Sequence, residues 1–198
     1  MRQHPKIYLI RHGETDWNAE RRYQGQSDVP INANGRNQAR RNGVRLRTLL
    51  PDIAQALYIS SPLGRTCETM RIVRGELGLS PGEFEIDDRL LELSYGTWQG
   101  QLLSDLPRTD PGALEARSAD PFQWRPGGGE NYTDLTKRLT DWLENLARDE
   151  HYVVVSHGGV SRALRYLLLE NIEPGEVLNL EVPHDRVLLL ENGTATWL

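Results

Sequence analysis

The chain has few of the residues that staple small secreted folds or hold structural metals. One of its 198 residues is cysteine, Cys67, which excludes an internal disulfide and any multi-cysteine metal site. The plain reading of that thiol is a small buried hydrophobe. Lysine is nearly absent too: Lys6 and Lys137 stand alone, and the other 21 of 23 basic residues are arginine. Compositional bias accounts for such an excess, so its placement is what carries information. Long apolar runs are missing. The longest, four residues each, include "IYLI" at 7–10, "YVVV" at 152–155 and "VLLL" at 187–190, and fall far short of the roughly 20 residues of a bilayer span. Near the start, four apolar residues (7–10) stop at Arg11, short of the roughly 7–15 of a secretory signal core. A cytoplasmic protein without a membrane partner is expected. A formal charge of −5 argues against nucleic acid as the main partner. No GxxxxGK[ST] occurs, so a P-loop is excluded.

What is present suits one globular core, and a single domain over residues 1–198 is expected: 38% of residues are hydrophobic and 26% charged. "KIYLI" (6–10), "ALYIS" (56–60) and "YVVVS" (152–156) read as buried strands, with "FEI" (84–86) weaker. Between and after them, residues 34–50, 63–77, 131–149 and 158–170 have helical spacing, clearest at Tyr132, Leu135, Leu139, Trp142, Leu143 and Leu146. The chain closes with two strand-like runs joined by Asn192-Gly193, a type I′ hairpin signal. The expectation is an α/β three-layer sandwich, a mainly parallel mixed sheet flanked by helices. Residues 94–130, broken by Pro107, Pro111, Pro121 and "PGGGE", read as an irregular insertion over one end of the sheet.

Ligands of open α/β sheets bind beyond the carboxyl ends of the strands. The first strand delivers Arg11, His12 and Gly13 there, the second leads to Arg65, and the last delivers His157, Gly158 and Gly159. If these strands are parallel neighbours, two arginines and two histidines converge, and converging cations call for an anion. Guanidinium forks match phosphate oxygens, and glycines with a helix N-terminus add close backbone donors. No acidic or cysteine cluster accompanies the histidines, so no metal site and no cofactor are expected. A neutral imidazole is a nucleophile toward phosphorus. Glu92, a lone carboxylate between Leu91 and Leu93, is the candidate to protonate a leaving alkoxide. His4, His151 and His184 lack such context and read as surface, with His184 at most reaching the rim. Trp17 and Trp98 read as packing.

In "RHGETDWN" (11–18), "SPLGRTCET" (61–69), "LLELSYGTWQG" (90–100) and "SHGGVSRAL" (156–164) the chain resembles the histidine phosphatase superfamily, phosphoglycerate-mutase-like branch. The likeness spans roughly residues 5–198. It implies His12 as the phosphorylated nucleophile and Glu92 as acid/base. Arg11, Arg65, His157 and Asn18 would hold the transferring group, with the amide of Gly158 as a further donor. "YQGQSD" (23–28) matches the loop that lines the substrate mouth, which adds Gln24 and Gly25, and Tyr95 falls on a substrate-contacting position. A homodimer is a family-level expectation.

Departures from the pattern favour a phosphatase over a mutase. Mutases of the family carry a longer insert with two adjacent arginines. Here 65 positions separate Glu92 from His157, and Arg108, Arg117, Arg125, Arg138 and Arg148 are never adjacent. Their lysine position is Leu103, and their HGN is His157-Gly158-Gly159. The expected function is metal-independent hydrolysis of a small phosphomonoester through a phosphohistidine on His12. The alternatives are mutase-type phosphoryl transfer and a non-catalytic module that binds phosphorylated ligands.

Overall fold

A computed structural model describes residues 4–50 and 52–198; residues 1–3 and 51 of the expected domain lie outside the described residues. The chain runs β1 (Lys6–Arg11), α1 (Asp16–Ala19), α2 (Ala33–Leu49), β2 (Leu57–Ser60), α3 (Gly64–Glu76), β3 (Glu85–Ile86), α4 (Leu106–Thr109), α5 (Ala113–Ala119), α6 (Tyr132–Glu144), β4 (His151–Ser156), α7 (Gly158–Leu168), β5 (Val187–Glu191) and β6 (Thr194–Trp197). The sheet order is β3-β2-β4-β1-β5-β6. β1, β2 and β3 form a parallel set around β4, while β5 and β6 close one edge antiparallel. This is the mixed α/β sheet expected from the sequence, and it makes β2, β4 and β1 the parallel neighbours that the site requires.

Side chains alternate across the pleat, so each central strand feeds two cores. Ile7, Leu9, Tyr152, Val154, Leu188 and Leu190 face α6, α7 and the insertion. Tyr8, Ile10, Val153, Val155 and Val187 face Leu46 of α2 and Met70 and Val73 of α3. Full burial of each such side chain contributes about 1.5–3 kcal/mol, which fixes strand register tightly.

Helix starts follow from side-chain caps. Asn32 accepts the Gly35 amide at 2.9 Å to open α2, and Asn131 with Asp134 forms a reciprocal capping box on α6. α6 places Leu135, Leu139 and Trp142 in the core but stops at Glu144, five residues before the expected end, where the chain turns back toward β4. Asn192 and Gly193 both have positive φ, 49° and 73°, as a type I′ turn demands.

The insertion is more ordered than its prolines suggested. Pro107 sits in the first turn of α4, where its missing N–H costs nothing, and α5 follows directly. Leu106, Ala113 and the fully buried Trp98 anchor the segment to the core. Among the described residues no helix is long and apolar enough to cross a membrane.

Candidate active site

β1 ends at Arg11, and the next residue, His12, is 3% exposed. Its Nδ1 lies 2.8 Å from the Gly13 carbonyl. A carbonyl only accepts, so Nδ1 carries the proton and Nε2 keeps its lone pair. No protein group hydrogen-bonds that Nε2 among the described residues. Burial is the main force holding His12 well below the usual imidazole pKa, followed by the charge of Arg65 and the nearness of His157 and Arg11. It is a neutral nitrogen base.

His157 closes β4 and stands at the N-cap of α7. Its ring meets that of His12 edge-on, with centroids 5.3 Å apart. Arg65 Nη2 lies 3.3 Å from Nδ1, and guanidinium only donates, so Nδ1 accepts. The proton is then on Nε2, donated to Ser61 Oγ at 2.8 Å. Burial and then Arg65 hold His157 well below its ordinary pKa as well. The two histidines are both neutral and of opposite tautomer.

Arg65, on α3, is completely buried yet meets no carboxylate: Nη1 donates to Ser27 O and Nη2 to Gly25 O, each at 2.6 Å. Arg11 Nη1 donates to Val182 O at 2.8 Å. The Nε of each arginine is buried without a protein acceptor among the described residues. Burial lowers both guanidinium pKa values to about 10, with Arg162 adding repulsion at Arg11. Both remain cations near neutrality.

Glu92 is buried, and its carboxylate lies over the start of α7, taking the Gly159 amide at 3.1 Å on both oxygens and the Leu93 amide at 2.9 Å. Its carbonyl accepts from Gln26 Nε2 (3.0 Å) and Arg138 Nη2 (3.3 Å), so the backbone is clamped as well. A Cβ on Gly159 would come within 2.3 Å of Glu92 Oε1. Gly13 is likewise a close-approach glycine, since its Cβ would meet the Gly35 carbonyl of α2 at 2.4 Å. The glycines after the two histidines thus clear protein neighbours, where the sequence suggested only access for a ligand.

The remaining candidates divide by position. Asn18 Oδ1 accepts from the amide and hydroxyl of Thr15, each at 3.2 Å, fixing the side chain beside the mouth. Tyr95 lines the mouth with Asn18. Gly25 stands behind Arg65 as its carbonyl partner, with φ of +54°. Gln24 is buried and its Oε1 has no partner among the described residues. The amide of Gly158 has no protein acceptor there either. Trp17 packs on Gly100 and Trp98 on Trp124, as packing residues do.

One residue read as surface belongs to the site. His184 Nδ1 donates to the His12 carbonyl at 2.6 Å, and its ring lies 5.6 Å from the His12 ring. Burial and then Arg11 push its pKa down to about 4, against the opposing pull of that hydrogen bond. Strand pairing is the signal that finds it: Val187 faces Ile10 in the antiparallel β1–β5 ladder, so the residues before 187 lie beyond the end of β1. Ser61, Gln26 and Arg138 also escaped the sequence reading, because each acts through another residue's placement.

A cradle of two neutral histidines, two unpaired arginines and a capped carboxylate at the ends of parallel strands defines a class. The chain belongs to the histidine phosphatase superfamily, branch 1, whose sequence pattern matches residues 7–197. Among its relatives is a Salmonella paratyphi C protein named "Probable phosphoglycerate mutase GpmB", 38% identical over 157 residues, covering 77% of this chain and 69% of that protein. Similar solved structures include the mycobacterial glucosyl-3-phosphoglycerate phosphatase Rv2419c in complex with VO3, at 29% identity and TM-score 0.77 over 98% of this chain and 96% of that one. The alpha-ribazole phosphatase from Shigella flexneri aligns at 26% identity and TM-score 0.78, covering 98% and 94%.

Proposed function

We propose that the protein is a metal-independent phosphatase that hydrolyses a small phosphomonoester through a phosphohistidine on His12. The observation that carries this reading is the His12 imidazole: buried, neutral, pinned by its Nδ1 proton to the Gly13 carbonyl, with Nε2 free beside two arginines whose buried Nε atoms have no protein acceptor among the described residues. The likeness to two solved phosphatases supports hydrolysis as the outcome.

In this reading the phosphoryl oxygens give Arg11 Nε, Arg65 Nε and the Gly158 amide their acceptors. Nε2 of His12 attacks phosphorus as the ester P–O bond breaks, and Glu92 gives its proton to the departing alkoxide. The Glu92 carboxylate then takes a proton from water, whose oxygen attacks phosphorus as the P–N bond breaks. Inorganic phosphate leaves and His12 is neutral again. Charge development on the phosphoryl oxygens is met by fixed guanidinium and amide donors, the main requirement of phosphoryl transfer.

The likeness to the protein named as a mutase favours a second reading, return of the phosphoryl group to another oxygen of the same molecule. Hydrolysis is preferred because Leu103 stands at the mouth where mutases of the family place a lysine. The test is phosphate release from a panel of phosphomonoesters in the presence of a chelator, with His12→Ala as control. Release by the wild type alone supports hydrolysis; isomerised phosphoester without release supports the mutase. Activity that vanishes with chelator and returns with a divalent cation overturns the mechanism.

A further inference from the structure

We infer that Arg138, paired with Glu130, is a positioning residue for the general acid: with Gln26 it sets where the Glu92 carboxyl stands against the departing oxygen. The inference rests on the reading of Glu92 as the acid and deepens it.

Glu92 is the one reacting group that neither a central strand nor the helix behind it delivers. It follows the two-residue edge strand β3 and a single 3₁₀ turn, and residues 91–95 lie in no helix or strand. A segment without ladder or helix bonds must find other partners for its peptide groups. Here side chains supply them. Arg138, on α6, donates from Nη1 to the Arg89 carbonyl and from Nη2 to the Glu92 carbonyl, the latter at 3.3 Å. Ser156 Oγ, one residue before His157, donates to the Leu90 carbonyl at 2.8 Å. Gln26 Nε2 donates to the Glu92 carbonyl at 3.0 Å. Glu130 takes the Ser94 amide on Oε2 at 2.9 Å and gives its own amide to the Ser94 carbonyl at 2.9 Å.

Arg138 and Glu130 also hold each other. Nη2 meets Oε2 at 3.3 Å and Nε meets Oε1 at 3.4 Å, a two-point pair whose side chains are only 19% and 26% exposed. A guanidinium fork serves two carbonyls and a carboxylate from one plane, which an ammonium cannot. Gln26 connects this brace to the phosphate end of the site. It stands between Gly25 and Ser27, whose carbonyls hold Arg65, and its Nε2 lies 3.4 Å from Glu130 Oε2. One three-residue loop therefore ties the clamp on the phosphoryl group to the acid that protonates its leaving oxygen. Proton transfer needs the acid within hydrogen-bond reach of that oxygen, and a misplacement of about 1 Å can slow a reaction about 10²-fold. The charge of Arg138 also acts on His157, which it helps keep neutral. That route touches every ester alike, whereas the route through Glu92 matters only where the leaving group needs a proton. The sequence hid the brace because Glu130 reads there as part of a turn and Arg138 lies 46 positions from the acid.

The experiment measures kcat and KM for propyl, phenyl and p-nitrophenyl phosphate, in order of improving leaving group. The proteins are the wild type, Arg138→Met, Arg138→Lys, Gln26→Leu, Glu92→Gln and the double variant of Arg138→Met with Glu92→Gln. Arg138→Met is expected to lower kcat for propyl phosphate by about 10- to 100-fold, with p-nitrophenyl phosphate changed by about threefold or less and KM little moved. Arg138→Lys should recover part of that loss. Gln26→Leu, on a different element, should show the same leaving-group pattern in weaker form, and it carries the test if Arg138→Met does not fold. In the Glu92→Gln background Arg138→Met should cause no further loss, since no acid is left to position. A loss that is absent, or uniform across the three esters, in the Arg138 and Gln26 variants overturns the inference, as do losses that add in the double variant. A leaving-group-dependent loss in Glu92→Gln alone then leaves the acid reading standing. No leaving-group dependence in Glu92→Gln itself refutes both.

Discussion

The cradle and the mouth are built by different rules. Except for Glu92, which comes from the irregular segment after the edge strand β3, the groups of the cradle hang from the end of a central strand or the helix behind it. Arg11 and His12 follow β1, His157 follows β4, and Arg65 begins α3 after β2. Their hydrogen bonds go mostly to backbone atoms and to one another. The mouth is assembled from pieces: Tyr23 from a loop, Arg117 from a short helix of the insertion, Arg162 from α7 and Leu178 from the following turn. The teaching is that sheet topology fixes what the site does, and the insertion governs what it does it to. Changes in the cradle should therefore lower turnover of every ester, and changes in the mouth should alter preference among esters.

The largest effect belongs to His12→Ala, which removes the proposed nucleophile. Turnover of all phosphoesters should fall by at least about 10⁴-fold, with circular dichroism and melting little changed. Loss restricted to some esters would break the division between cradle and mouth. Next, Glu92→Gln should slow alkyl phosphates by about 10²–10⁴-fold and p-nitrophenyl phosphate much less, since that leaving group departs without help from an acid. Gly159→Ala should reproduce this leaving-group pattern in weaker form, because its Cβ meets Glu92 Oε1 at 2.3 Å and must displace the carboxylate. A uniform loss across leaving groups in Gly159→Ala would assign that glycine to folding alone.

The buried histidines give the cradle a signature in pH. His12, His157 and His184 all have folded pKa values below the unfolded value of about 6.5. Below that pH the unfolded chain binds protons that the folded chain refuses, so stability is intact above about 6.5 and declines as pH falls. Each histidine contributes a slope of at most about 1.4 kcal/mol per pH unit over its window, which for His184 runs from about 6.5 to about 4. Chemical denaturation from pH 8 to 5 should show this decline, smaller in His184→Asn. Imidazole NMR at pH 7 should show His12 protonated on Nδ1 and His157 on Nε2.

The smallest effect marks a region outside both. Gly193→Ala, at φ of +73° in the hairpin that closes the sheet edge, should cost about 1–2 kcal/mol of stability and leave kcat and KM unchanged.

Legibility in the sequence follows the same division. Strand ends, the residues they deliver and the type I′ hairpin were readable, because period-two burial and turn chemistry are local. Asn18 came from family likeness, since an N3 side chain that caps its own helix has no chemical signal of its own. His184 was misread because its place depends on antiparallel pairing of β5 with β1, a contact between residues more than 170 positions apart. The insertion was misread because Pro107 signals a break in a helix interior but suits a first turn, and sequence alone does not say which applies.

The most direct measurement is to mix the enzyme with a turned-over phosphoester, quench in alkali, where phosphohistidine survives, and map the phosphorylated peptide by mass spectrometry. The account predicts a transient phosphoryl group on His12, bonded at Nε2 and absent in His12→Ala. Turnover with no covalent intermediate, or with the phosphoryl group on another residue, would contradict it.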